Sequence, residues 1–131
     1  MLDLVKIKET CIYVSDLERT KNFYHSLLEL PVISFVPGKH VFFRAGSSVL
    51  LCFIAEDSRQ KIVPPPHYGY GQLHFAFEVP PEKYEAAKAF VQSKGIAIEY
   101  EQNWPGGFHS FYFRDPDGHC LEVVPTGMWF P

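Results

Sequence analysis

The stretch FYFRDPDGHCLEVVP, residues 111–125, decides the fold. Phe111-Tyr112-Phe113 and Leu121, Val123 and Val124 are two β-prone runs. Between them Pro116 pre-sets the φ of a type I turn, and Gly118 supplies the positive φ that closes it. Two such runs about a tight turn read as a β-hairpin. Glu122 is out of place among Leu121, Val123 and Val124. A carboxylate is rarely buried without a partner, so either this strand shows its Glu122 face to water or Glu122 points into a cavity and meets a positive group.

Working outward, the same order of elements occurs twice. Thr10–Val14 reads as a strand. Ser15 opens a helix with Glu18 completing a capping box, and Leu17, Thr20, Tyr24, Leu27 and Leu28 form its apolar stripe. Pro31 stops that helix. Strands follow at Val32–Val36, Val41–Arg44 and Val49–Ile54. In the second half, Leu73–Val79 is a strand, and Pro80-Pro81 opens a helix lined by Tyr84, Ala87 and Val91 and ended by Gly95. Strands follow at Ile96–Tyr100, Ser110–Arg114 and Cys120–Val124, with Gln102–Phe108 as a loop holding Trp104. A repeat of this kind specifies an α+β fold of two paired βαβββ modules, their sheets forming a curved cup with the helices outside. Module one is residues 1–56, module two 73–131. Residues 57–72, with Pro64-Pro65-Pro66 and His67-Tyr68-Gly69-Tyr70, form a linker, either a plain connector or a flap over a cavity.

The 131 residues suit one domain. A hydrophobic share of 47% and an aromatic share of 16% mark a globular chain. The net charge is −3 and there is no basic run, which argues against nucleic acid as a partner. No apolar run approaches a membrane span, and no signal-peptide core is present. Three cysteines, Cys11, Cys52 and Cys120, lie in strand-like runs. An odd number of strand-buried thiols predicts reduced cysteines and a cytoplasmic location. No C-x-x-C is present, which speaks against structural zinc.

The repeat brings chemistry-bearing residues into register. Val14 and Val79, each ending the first strand of its module, stand 65 residues apart; the same shift carries Glu9 onto His74. Strand alternation puts Leu73, Phe75, Phe77 and Val79 toward the helix and His74 toward the cup. By the same rule Glu9, Cys11 and Tyr13 face the cup, as do Cys120, Glu122 and Val124. Glu9, His74 and Glu122 thus converge as a candidate ligand set for Fe(II), Mn(II), Zn(II), Ni(II) or Mg(II), and three donors leave positions open for substrate. Taken singly, Glu9 also reads as an exposed strand end, His74 as a satisfied core histidine, and Glu122 as a solvated carboxylate.

Tyr112 shares the cup face with Ser110 and Arg114 and neighbours Glu122. It is a candidate acid or substrate-oxygen ligand, or a core tyrosine with its hydroxyl at the rim. Arg44 and Arg114, equivalent in the repeat, either hold an anionic substrate or brace the strands. Trp104, Tyr13 and the linker aromatics are candidates to stack on a ligand. Cys11 and Cys120 lack an orienting group for a Cys–His pair and read as small hydrophobes. His109 and His119 read as exposed.

Three segments, ETCIYVSDLERTKNFYHSLLEL (9–30), LHFAFEV (73–79) and the 111–125 hairpin, resemble the vicinal oxygen chelate superfamily, the glyoxalase, bleomycin-resistance and extradiol-dioxygenase group. The resemblance covers nearly the whole chain. It implies paired βαβββ modules, metal ligands at Glu9, His74 and Glu122, and a homodimer. Two departures matter. Many members carry His where this chain has Glu9. The fourth ligand position falls near Leu50, which cannot bind metal, so a glyoxalase I assignment is disfavoured. The implied function is a divalent-metal enzyme of the lyase, isomerase or dioxygenase type, acting on a small substrate that chelates through two adjacent oxygens. The alternatives are metal-free sequestration of an aromatic or drug-like molecule, as in bleomycin-resistance members, and a regulatory subunit with no ligand.

Overall fold

Eight strands and three helices make up the chain, in a computed structural model that describes residues 1–131. They fall into two compact units, Met1–Gly71 and Gln72–Pro131. The class is α+β, with one four-stranded mixed sheet in each unit.

In the first unit the strands are β1 (Glu9–Tyr13), β2 (Val32–Val36), β3 (His40–Ala45) and β4 (Ser48–Phe53). Their order is β1-β4-β3-β2, with β1 and β4 parallel and the rest antiparallel. Helix α1 (Leu17–Lys21) runs on into a π-helical turn, Asn22–Leu27. One face of the sheet buries Ile12, Val41, Phe43, Leu50 and Cys52. The helix supplies Leu17, Thr20, Phe23 and Tyr24 to this core, and the Tyr24 and Phe43 rings meet at 5.4 Å. Each large apolar side chain so buried stabilises the unit by about 1.5–3 kcal/mol.

Three readings of this unit are corrected. The helix cap is Asp16, whose side chain accepts from Arg19 N at 3.0 Å, not Ser15. The wider π turn brings Phe23 into the core, while Leu27 and Leu28 are only half-buried. The stretch after β4 begins as a helical turn, α2 (Ala55–Ser58), before it becomes irregular.

In the second unit the strands are β5 (His74–Val79), β6 (Tyr100–Trp104), β7 (Phe108–Arg114) and β8 (Cys120–Pro125), in the order β5-β8-β7-β6. Helix α3 (Tyr84–Ser93) follows a short 3-10 turn opened by Pro81 at its first position, where a missing N–H costs nothing. The core is Tyr84, Val91, Phe111, Phe113, Leu121 and Val123, with Tyr84 and Phe111 rings 5.5 Å apart.

The strand expected at Ile96–Tyr100 lies instead at Tyr100–Trp104. The 105–107 turn, with Gly106 and Gly107 both at positive φ, pairs Trp104 with Phe108 and so sets the register. Trp104 is therefore a strand residue rather than part of a loop. The hairpin of 111–125 forms as read. Gly118 N donates to Asp115 O at 2.9 Å with φ +83°, and Asp115 Oδ1 accepts from Asp117 N and His119 N.

Candidate functional site

Glu122 sits on β8 with only 6% of its surface exposed, so the strand does not show it to water. Its partner is His74 at the start of β5. His74 Nε2 lies 3.2 Å from Glu122 Oε1. The other ring nitrogen, Nδ1, is 2.8 Å from Cys120 O. A carbonyl only accepts, so Nδ1 carries a proton; Nε2 donates to the carboxylate in the charged ring and turns a lone pair toward it in the neutral one. In the neutral ring two acceptor atoms face each other, a contact that a cation bound by both would satisfy. Binding the far nitrogen to a backbone carbonyl is also how a metal-ligating imidazole is held in its tautomer.

Tyr112 on β7 is the direct cross-strand neighbour of Glu122. Burial raises its phenol above the ordinary tyrosine range, and the Glu122 carboxylate adds to that shift. Tyr112 is therefore protonated at neutral pH and is a hydrogen-bond donor, not a base. Its neighbour Ser110 is buried and accepts from Trp104 Nε1 at 2.8 Å, which fixes the indole against the strand face.

Arg114 is spoken for. Nε and Nη2 each reach Glu99 at 2.9 Å, and Nη1 donates to Gly118 O at 3.0 Å. Of the two readings for this residue, bracing is the one its contacts satisfy. Arg44 is exposed and donates through Nε to Gly46 O at 2.8 Å. His109 is exposed as expected. His119 is not: it is 1% exposed, and its Nδ1 accepts from Leu73 N at 2.9 Å. A histidine in a hairpin turn reads as solvated unless its bond across to another strand is seen.

In the first unit Glu9 opens β1, exposed, opposite Val49. Tyr13, at the other end of β1, has its Oη 2.7 Å from His67 Nδ1. Burial and the adjacent Cys11 thiol push the Tyr13 phenol up to about 12, so it is the donor. His67 also packs edge-on to Phe53 at 4.5 Å. A Cβ on Gly69 would come within 2.3 Å of the Tyr13 ring, so glycine is what lets this segment lie so close. His67–Gly69 of the linker is thus folded down on the sheet of its own unit, a placement that no residue pattern pointed to beyond aromatics among glycines. Beside it lie His40 and Phe42, stacked at 3.8 Å. The three cysteines are free, but only Cys52 is buried; Cys11 is exposed and Cys120 half-buried. Cys11 belongs to an edge strand, on the face away from α1.

The strand register relocates the fourth position. In module two Ala76 pairs with Glu122, and in module one Cys11 pairs with Leu51. The counterpart of Glu122 is therefore Leu51, not Leu50, because the β3–β4 connection is one residue shorter than β7–β8 rather than two. Leu50 is buried against the helix. The chemical conclusion is unchanged, since Leu51 has no donor atom. Neither unit by itself gathers three or more His, Cys, Asp or Glu side chains into a metal-sized cluster.

The chain is 33% identical over 125 residues to a glutathione transferase FosA from Serratia marcescens, covering 92% of this chain and 80% of that protein. It resembles the crystal structure of a lactoylglutathione lyase from Agrobacterium tumefaciens with a TM-score of 0.91 and 31% identity, over 97% of this chain and 98% of the other. The fold also recurs in a glyoxalase/bleomycin resistance protein/dioxygenase from Nocardioides, with a TM-score of 0.73 and 22% identity over 95% and 85% of the two chains. The family model for this group matches residues 6–123, a span that takes in both βαβββ modules and the His74–Glu122 pair. The chain belongs to the Glyoxalase/Bleomycin resistance protein/Dioxygenase superfamily.

Proposed function

We propose that the protein is a divalent-metal-dependent enzyme acting on a small substrate that offers two adjacent oxygens. The observation that carries this reading is the His74–Glu122 pair. Its imidazole tautomer is fixed by Cys120 O, and Nε2 faces Glu122 Oε1 across 3.2 Å. One nitrogen and one carboxylate oxygen fit a borderline divalent ion such as Fe(II), Mn(II), Zn(II) or Ni(II) better than Mg(II), which favours all-oxygen surroundings. His74 and Glu122 would hold it, with Glu9 as third donor, supplied either by the same chain or by a second copy in a homodimer. When bound, such an ion supplies Lewis acidity toward an oxyanion or enolate.

The protein's own groups do the rest. Tyr112, held protonated by burial, donates a hydrogen bond to a substrate oxygen. Tyr13 and Trp104 offer ring faces. Arg44 is the exposed guanidinium for an anionic substituent, while Arg114 keeps the β7–β8 turn in place through Glu99 and Gly118. Two relatives carry names that involve glutathione, a transferase and a lyase, so glutathione is the first thiol to supply in an assay. Leu51 in place of a fourth donor argues against glyoxalase I itself. No helix is long and apolar enough to cross a membrane, and three free thiols suit a reducing, cytoplasmic setting.

A second reading is metal-free sequestration of an aromatic molecule. It draws on the aromatic shelf of module one, formed by Tyr13, His40, Phe42, Phe53 and His67. Elemental analysis of the purified protein, beside His74→Ala and Glu122→Ala, separates the two. Near-stoichiometric metal that both variants lose is the expected result. No metal after reconstitution with Fe, Mn, Ni and Zn would leave the sequestration reading in its place.

A further inference from the structure

One buried imidazole is not part of the pair, yet it is bonded to the residue before it. His119 is 1% exposed. Its Nδ1 accepts from Leu73 N at 2.9 Å, so the proton of the neutral ring is on Nε2. The next residue, Cys120, donates its N–H to Leu73 O at 2.8 Å, and its carbonyl accepts from His74 Nδ1 at 2.8 Å. Three consecutive bonds thus tie Leu73-His74 to His119-Cys120. Only the middle one is backbone to backbone. The outer two are made by the two imidazoles, with Nδ1 donating at His74 and Nδ1 accepting at His119.

His119 is itself anchored. Its backbone N–H donates to Asp115 Oδ1 at 2.9 Å, and its carbonyl accepts from Asp115 N at 3.2 Å. Module one reproduces the middle bond, Val49 N to Lys8 O at 2.9 Å. There the strand register puts Ser48 in the place of His119. The imidazole is therefore a feature of the module that carries the pair, not of the repeat.

We infer that His119 is a positioning residue for His74: by replacing a backbone acceptor at the mouth of β5 it fixes where that strand begins, and so locks the His74 ring against Cys120 O with Nε2 toward Glu122. This rests on the metal reading only for its consequence, not for its geometry.

Long-range nitrogen–proton NMR on the histidine-labelled full-length chain tests it without added metal. With both rings neutral, the wild-type protein is expected to give opposite tautomers, Nδ1–H at His74 and Nε2–H at His119. A nitrogen–nitrogen coupling is also expected across the bond from Leu73 N–H to His119 Nδ1. Absence of that coupling overturns the inference, and no variant is needed to see it. In His119→Ala, or in His119→Ser if alanine does not fold, His74 is expected to populate both tautomers, and Mn(II) or Co(II) affinity to fall roughly tenfold to a hundredfold. His119→Asn, whose amide oxygen can still accept from Leu73, is expected to recover part of both. A folded variant that loses thermal stability but keeps a single His74 tautomer would show a merely structural role. If the wild type binds no metal, the tautomer result stands and only the metal reading fails.

Discussion

Modules one and two repeat one backbone and share little chemistry. On the helix-facing side of each sheet the equivalent positions are matched: Phe43 with Phe113, Leu50 with Leu121, Val14 with Val79. On the opposite side they diverge. His74 answers to Glu9, Glu122 to Leu51, Tyr112 to Phe42 and His119 to Ser48. Packing explains the first half of this contrast. A face covered by a helix tolerates few changes of volume, so both modules keep large apolar residues there. The other face is packed differently in each module. In module two it holds a buried carboxylate and its imidazole. In module one it holds an aromatic shelf, onto which the chain folds its own His67-Tyr68-Gly69 segment. Symmetry of fold thus coexists with one-sided chemistry.

The comparison can be broken most sharply at Glu122 and Leu51. Glu122→Ala is expected to reduce bound metal to background, and Leu51→Ala to leave it unchanged, by elemental analysis after reconstitution. Equal behaviour of the two variants would dissolve the asymmetry. The matched cores make a second, opposite prediction. Phe43→Ala and Phe113→Ala, both nearly fully buried, should each destabilise by about 3–5 kcal/mol in denaturant titration; a large inequality would mean that the two units do not carry equivalent cores.

Gly69→Ala puts a methyl into the Tyr13 ring and is expected to cost about 1–3 kcal/mol, read as a lowered melting temperature. No loss would mean that the segment does not rest on β1 in solution. A smaller effect is expected at Tyr112. Burial and then Glu122 hold its phenol above the usual range. Removing the charge with Glu122→Gln should lower that value while leaving most of the shift, as followed by phenolate absorbance against a Tyr112→Phe background. The smallest effect belongs to the two arginines. Arg114 holds the Glu99 carboxyl below the usual carboxylate range, so the pair contributes above the unfolded pKa of Glu99 and fades as pH falls through its folded value. Arg114→Ala should therefore lower thermal stability slightly at neutral pH and less in acid, while Arg44→Ala should change it little at either.

Much of this was readable in the order of residues. Period-two alternation and the Asp115–Gly118 turn chemistry are local, and a repeated βαβββ order needs only punctuation by Pro31, Gly95 and Gly118 to be seen. The same alternation placed His74, Glu122 and Tyr112 on one face, because a strand offers only two. Cross-strand distances are a different matter. Whether Glu122 is buried, whether Arg114 is committed to Glu99, and which nitrogen of His74 faces the carboxylate depend on partners 15 to 48 residues away in the chain. Strand pairing alone brings these together, and local propensity carries no trace of it. The counterpart of Glu122 is Leu51 rather than Leu50 for the same reason, since one residue of connection length shifts every pair in a ladder. His119 is the clearest case: by composition it is a polar turn residue, and only the bond from Leu73 N–H, made once β5 lies beside β8, turns it into a buried acceptor.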